Sequence, residues 1–140
     1  MMNWSYVSAF LDTDGSLCLA RNTKKSEPAL QLCFHNSYIE LIDALKNFIY
    51  NETGMTGSVS TKRKKNPNHL DSYDLKYFGA RRVLELSKHL TLLHPVKSKK
   101  MALAEKLVSL TPRNGKYTEK ILAERKILIE QFHEYNSNFH

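Results

Sequence analysis

Cysteine is scarce in this 140-residue chain: Cys18 and Cys33 are the only two, which excludes a disulfide framework. They lack the CxxC spacing of a zinc site and no histidine cluster completes one, so they read as reduced thiols of an intracellular protein. The six histidines form no catalytic or metal-binding pattern. No apolar run is long enough to cross a bilayer, and no basic segment followed by a long apolar one opens the chain, so no membrane partner and no secretory signal are expected. Glycine and proline number only five and four, and there is no internal duplication or low-complexity segment. Acidic residues are also in deficit, 14 against 21 Lys and Arg, giving a formal charge of +7 and a pI of about 9.4. A domain this basic suggests a polyanionic partner, nucleic acid or membrane surface; the plainer alternative is a basic surface that aids solubility. The length and the 41% hydrophobic content suit a single domain, 1–140, with a real core.

The pattern that remains is a series of short periodic segments. Trp4, Val7, Phe10 and Leu11 share helical spacing, which predicts a helix over 4–11, and Gly15 reads as its left-handed stop. Alternation predicts strands over 16–22 and 29–35, paired as a hairpin with one apolar face. A helix over 37–50 follows, with Ser37 as N-cap and Glu40 completing a capping box. A second hairpin, 58–64 with 70–78, turns around Asn66-Pro67-Asn68, and a helix covers 80–90. Ser98 and Thr118 are read as caps of two C-terminal helices ending near 110 and 135. The expected fold class is therefore α+β, with helices over one face of an antiparallel sheet, a core of about 3–92 and C-terminal helices over about 97–135.

The densest signal is Val7-Ser8-Ala9-Phe10-Leu11-Asp12-Thr13-Asp14-Gly15. An apolar helical run with small residues in its middle ends in Asp-x-Asp-Gly, and a strand starts at once. Carboxylates are thereby placed at a helix–strand junction, either as a polar helix terminus or as ligands. This stretch resembles the motif that names the LAGLIDADG homing endonucleases, with Val7, Ser8 and Ala9 in place of the family's leading Leu, Ala and Gly. The element order αββαββα is similar to that family's core. The resemblance implies a homodimer, because the motif occurs once. It implies two such helices packed across the dimer axis, with the small residues Ser8 and Ala9 letting the backbones approach and Trp4, Val7, Ser8 and Leu11 at the interface. It maps the metal-binding acid onto Asp14, with Mg²⁺ as cofactor and Mn²⁺ as a substitute, and leaves Asp12 a structural or supporting role. The implied reaction is metal-assisted hydrolysis of both strands of a long, roughly palindromic duplex, leaving short 3′ overhangs.

The same resemblance points to an active-site lysine in Lys97-Ser98-Lys99-Lys100, first Lys97 and then Lys99. The other reading of that run is a phosphate-binding or merely solubilising helix start. Cations at a helix N-terminus oppose the dipole, which favours a functional reason. Asn36 lies near a polar position that orders active-site water in the family, and it is equally a good turn residue. His35 is assigned to DNA or solvent rather than to a base.

The polar side of the sheet would read the DNA. Alternation assigns to it Ser16, Cys18, Ala20 and Asn22; Gln31 and Cys33; Ser58, Ser60, Lys62 and Lys64; and Ser72, Asp74 and Lys76. An antiparallel ribbon fits the major groove, and Arg63, Lys64 and Lys65 at the hairpin tip suit phosphates. The alternative is an ordinary solvated face. Two other functions use the same scaffold: a maturase that binds intron RNA, and a DNA-binding regulator without catalysis.

Overall fold

The computed structural model describes residues 1–20, 27–63, 66, 68, 70–112, 114 and 116–138, the last three as backbone alone. The elements are α1 (Trp4–Asp14), β1 (Gly15–Ala20), β2 (Ala29–Asn36), α2 (Ile39–Thr53), β3 (Ser58–Lys62), β4 (Ser72–Phe78), α3 (Ala80–Ser87), α4 (Pro95–Ser109) and α5 (Glu119–Asn138). The four strands form one antiparallel sheet in the order β1-β2-β4-β3. The α+β class and the order of elements are those that periodicity predicts.

Strand alternation divides the sheet into a closed and an open side. Leu17, Leu30, Leu32, Phe34, Leu75 and Tyr77 point to the closed side and are buried against Val7, Phe10 and Leu11 of α1, Ile42, Leu45 and Ile49 of α2, and Val83 and Leu86 of α3. Burial of each such side chain contributes roughly 1.5–3 kcal/mol, which is what holds helices as short as α3. At the sheet edge, β3 is exposed at every residue and pairs with β4 from Ser58↔Lys76 to Lys62↔Ser72. Met101, Leu103, Ala104 and Leu107 of α4 join Ile129 and Phe132 of α5 in the same core, and α4 also touches β1. Buried Arg125 ties these parts together. Its guanidinium donates to Thr111 Oγ1 at 2.8 Å and to Pro28 O at 3.4 Å, and it lies 3.6 Å from Glu27 Oε2.

Several boundaries differ from the sequence reading, each for a local reason. Gly15 is extended (φ −106, ψ 175) rather than left-handed, and α1 runs straight into β1. Glycine is required there by close approach: a Cβ would lie 2.5 Å from Leu11 Cδ1, 2.8 Å from Leu11 Cα and 3.0 Å from Cys33 O. The left-handed glycine stop belongs to α2, where Gly54 (φ +76) donates to Tyr50 O at 2.7 Å. Ser37 is not a cap: α2 starts later, at Ile39, after Asn36 Oδ1 accepts from the Tyr38 N–H at 2.9 Å in an Asx turn. Likewise α4 starts before Ser98. Pro95 takes the first helical position, and His94 Nδ1 accepts from the Val96 and Lys97 N–H groups. Thr118 caps α5 as predicted, its hydroxyl accepting from Ile121 N at 3.2 Å.

Candidate functional site

Asp14 is the last residue of α1, exposed, with β1 beginning at the next residue. Asp12, two residues back in α1, is engaged otherwise. Its carboxylate accepts from Leu93 N at 2.8 Å and His94 N at 3.3 Å, fixing the segment that launches α4. That connection brings Lys97 over the end of α1, where its Nζ donates to Leu11 O at 2.9 Å and to Asp12 O at 2.7 Å. Leu11 O already accepts the Gly15 N–H at the end of α1, so Lys97 adds a second donor there, and a cation at the last turn also answers the negative end of the helix dipole. Burial lowers the Lys97 pKa below the usual lysine value, against the opposing pull of Asp12 and Asp14.

A helix starting at Pro95 puts Lys97 and Lys100 on one side and turns Lys99 away. Lys100 Nζ lies 3.4 Å from Leu17 O and 5.3 Å from the centre of the Phe132 ring. Burial lowers its pKa as well, with Cys18 opposing and Lys97 reinforcing. Lys99 is exposed, so the second lysine at this end of the molecule is Lys100, not Lys99. The sequence carried the signal, but only once the helix start was placed correctly. Asn36 takes the turn role described above, lying two residues along β2 from Phe34, the cross-strand partner of Gly15.

The outward side of α1 also corrects the expectation. Val7 and Leu11 belong to the core, and Ser8 is buried, with its hydroxyl accepting from Thr91 N at 3.0 Å. Trp4 is half-buried and stacks on His89 with ring centres 4.3 Å apart. Of the two small residues expected at the contact, Ala9 does face solvent, in a stripe with Ser5 and Thr13 and with Tyr6 beside it. The apolar stripe of an amphipathic helix faces its own core first, which leaves the small residues outside.

On the open side of the sheet, a buried carboxylate sits among donors from three strands. Asp74 is 3% exposed; His35 Nδ1 is bonded to its Oδ1, and Lys62 Nζ and Lys76 Nζ lie 3.4 Å and 4.0 Å from its Oδ2. Burial by itself raises the Asp74 pKa, but the His35 hydrogen bond and the Lys62 charge outweigh it and hold the carboxyl below its ordinary value. Burial, then the Asp74 charge, push the Cys33 thiol up to about 11, so it stays protonated at neutral pH. Asp74, Cys33 and Ser72 are thus buried rather than presented to a ligand. Ser72, at 2% exposure, has an Oγ without a hydrogen-bond partner among the described residues. Gln31, Ser58, Ser60, Lys62, Arg63 and Lys76 do reach solvent. Asn22, Lys64 and Lys65 lie outside the described residues. Sequence reasoning overlooked Phe78, which continues the Ser72, Asp74, Lys76 alternation onto the open side and is 44% exposed.

Among the described residues no group of three His, Cys, Asp or Glu side chains could hold a metal ion. At this end of α1, Asp14 is the exposed carboxylate and Asp12 is half-buried. No helix of the described residues is long and apolar enough to cross a membrane.

No protein-family model matches the chain, and no curated protein matches it in sequence. Solved structures do match in fold. The archaeal intron-encoded homing endonuclease I-Vdi141I, complexed with DNA, superposes with a TM-score of 0.69 at 14% identity, over 93% of this chain and 81% of that one. The LAGLIDADG meganuclease I-AabMI, bound to uncleaved DNA, gives 0.67 at 15% identity over 91% of this chain but 44% of its own length. The homing endonuclease I-CvuI, in complex with the I-CreI target in 2 mM Mg with the DNA not cleaved, gives 0.63 at 16% identity over 94% and 80%. The helix that ends in Asp14, the four-stranded sheet and the helices behind it are the fold of the LAGLIDADG homing endonucleases.

Proposed function

We propose that two copies of this chain form a site-specific endonuclease that cuts both strands of a long, roughly palindromic DNA duplex by Mg²⁺-dependent phosphodiester hydrolysis. The observation that carries this reading is the exposed Asp14 carboxylate at the end of α1, with the Lys97 amine fixed to the last carbonyls of the same helix. The DNA complexes of the fold's neighbours support it, as does the row of lysines on the open sheet face. One carboxylate per chain suits one cut per strand, so a double-strand break needs two chains. The outward stripe of Ser5, Ala9 and Thr13 is the surface on which two α1 helices can approach closely.

The donor set fits a hard cation only in part within one chain. Mg²⁺ is held through one or two carboxylates with water and phosphate oxygens completing the octahedron, so Asp14, its counterpart and the scissile phosphates are the required oxygens. When bound, Mg²⁺ supplies an activated water and neutralises charge on the phosphate. The chain's own contributions are distinct. Asp14 and its counterpart would hold the cation. Lys97 keeps a further N–H donor for a water or phosphate oxygen, and its lowered pKa reflects a site already partly shielded from solvent. Asp12 holds the segment that brings Lys97 there.

The test is selection of cleavable sites from a randomised duplex library in Mg²⁺. A palindromic product cut on both strands is expected. Asp14→Asn should abolish cleavage while leaving binding to the selected site largely intact. Nicking that survives this change would remove the assignment.

A further inference from the structure

Phe78 is a large apolar side chain left on the polar side of the sheet. It lies directly opposite Gln31 in the β2–β4 ladder, and Gln31 lies directly opposite Cys18 in the β1–β2 ladder. Cys18, Gln31 and Phe78 therefore form one row across three strands. Directly opposed residues share a face, with Cβ atoms about 4.5–5.5 Å apart. Phe78 and Gln31 reach solvent, while Cys18 is half-buried beside them. The end of the row is fixed in place, because Gly79 (φ +103) donates its N–H to Leu30 O at 2.9 Å before α3 begins.

We propose that this row is a subsite for a single A·T base pair read in the major groove, with the Gln31 amide on adenine and the Phe78 ring against the thymine methyl. The proposal rests on the reading of the open face as a duplex-binding surface. Its chemistry is specific to that base pair. Adenine presents an N7 acceptor beside an N6 donor, which a glutamine amide matches with both of its ends. The same pair carries on its other base the thymine C5 methyl, which an aromatic side chain covers. A G·C pair offers neither combination, and a T·A pair exchanges the two halves relative to the row. Cys18 extends the apolar floor beneath Gln31 without adding a charge. The row also favours DNA over an RNA ligand, since uracil lacks the methyl and the A-form major groove is closed to side chains.

The experiment uses the Asp14→Asn chain, so that duplexes stay intact, and selects bound sites from a randomised library. One position in each half-site is expected to be held as A·T. Replacing that thymine by deoxyuridine removes only the methyl and should weaken binding about fourfold, the worth of one small apolar group. The Phe78→Ala chain should lose this sensitivity, and Gln31→Ala should relax the same position and no other. Melting curves separate loss of preference from loss of fold, and the deoxyuridine comparison on the chain with Phe78 intact needs no further variant. The proposal is overturned if deoxyuridine has no effect there, or if the two variants relax different positions. It is overturned also if both retain the A·T preference. If no sequence is enriched at all, the duplex-binding reading itself falls and takes the row with it.

Discussion

Replacing Gly15 by alanine tests why a glycine follows Asp14. In the folded chain the new methyl would stand 2.5 Å from Leu11 Cδ1, 2.8 Å from Leu11 Cα and 3.0 Å from Cys33 O. The first contact can be relieved by rotating the Leu11 side chain. The other two are backbone contacts, so α1 must shift against the β1–β2 hairpin. Overpacking of this kind costs about 1–3 kcal/mol, and backbone obstruction puts Gly15→Ala at the upper end. At roughly 2–4 °C of melting temperature per kcal/mol for a domain near this size, the expected loss is on the order of 10 °C. Thermal melting by circular dichroism measures it, with Gly15→Asn as the companion variant. A left-handed glycine would tolerate asparagine better than alanine. A close-approach glycine tolerates neither, and asparagine is no better. A melting temperature within about 2 °C of the unsubstituted chain, or a clear rescue by asparagine, would refute the close-approach account.

Asp12→Ala removes the acceptor of the Leu93 and His94 N–H groups and should destabilise the fold by about 1–2 kcal/mol. Because that segment delivers Lys97, cleavage should fall further than the loss of folded protein explains, as single-turnover kinetics on folded enzyme would register. Asp74 has its carboxyl depressed in the folded state, so its contribution is present above the ordinary carboxylate range and is lost as pH falls through the folded value. Asp74→Asn should therefore melt lower at pH 7, and the gap should close below about pH 4. A gap that persists in acid would mean that packing rather than charge is responsible. Lys62→Ala and Arg63→Ala should each weaken duplex binding and reduce the slope of log affinity against log salt by about 1.

The fold was legible because its signals are periodic. Leu30, Leu32 and Phe34 against Gln31, Cys33 and His35 announce a two-faced strand, and Ile42, Leu45 and Ile49 announce a helix buried on one side. The Asp-x-Asp-Gly junction was equally readable, because carboxylates at a helix–strand boundary interrupt an otherwise apolar run. What escaped depends on three-dimensional competition. Serine is a good cap by itself, yet His94 with Pro95 starts α4 four residues earlier, and the helix so placed turns Lys100 rather than Lys99 inward. Val7 and Leu11 look equally suited to a partner or to the chain's own core, and the core takes them. Asp74 looks like an exposed strand acid until His35 and Lys62 from the neighbouring strands, and Lys76 from its own, close over it.

Edge strand β3 has a consequence for how such a protein can change over generations. Every one of its residues is in water, and apart from Lys62, whose amine lies 3.4 Å from the buried Asp74 carboxylate, it is held to β4 by main-chain pairing. Mutations at Ser58 or Ser60 can accumulate without loosening Leu75 or Tyr77 on the neighbouring strand, or disturbing the distant helix end. On the proposed function, a lineage that must follow a drifting genomic address thus has residues on which to experiment, while the core and the Asp14 end of the molecule are inherited unaltered.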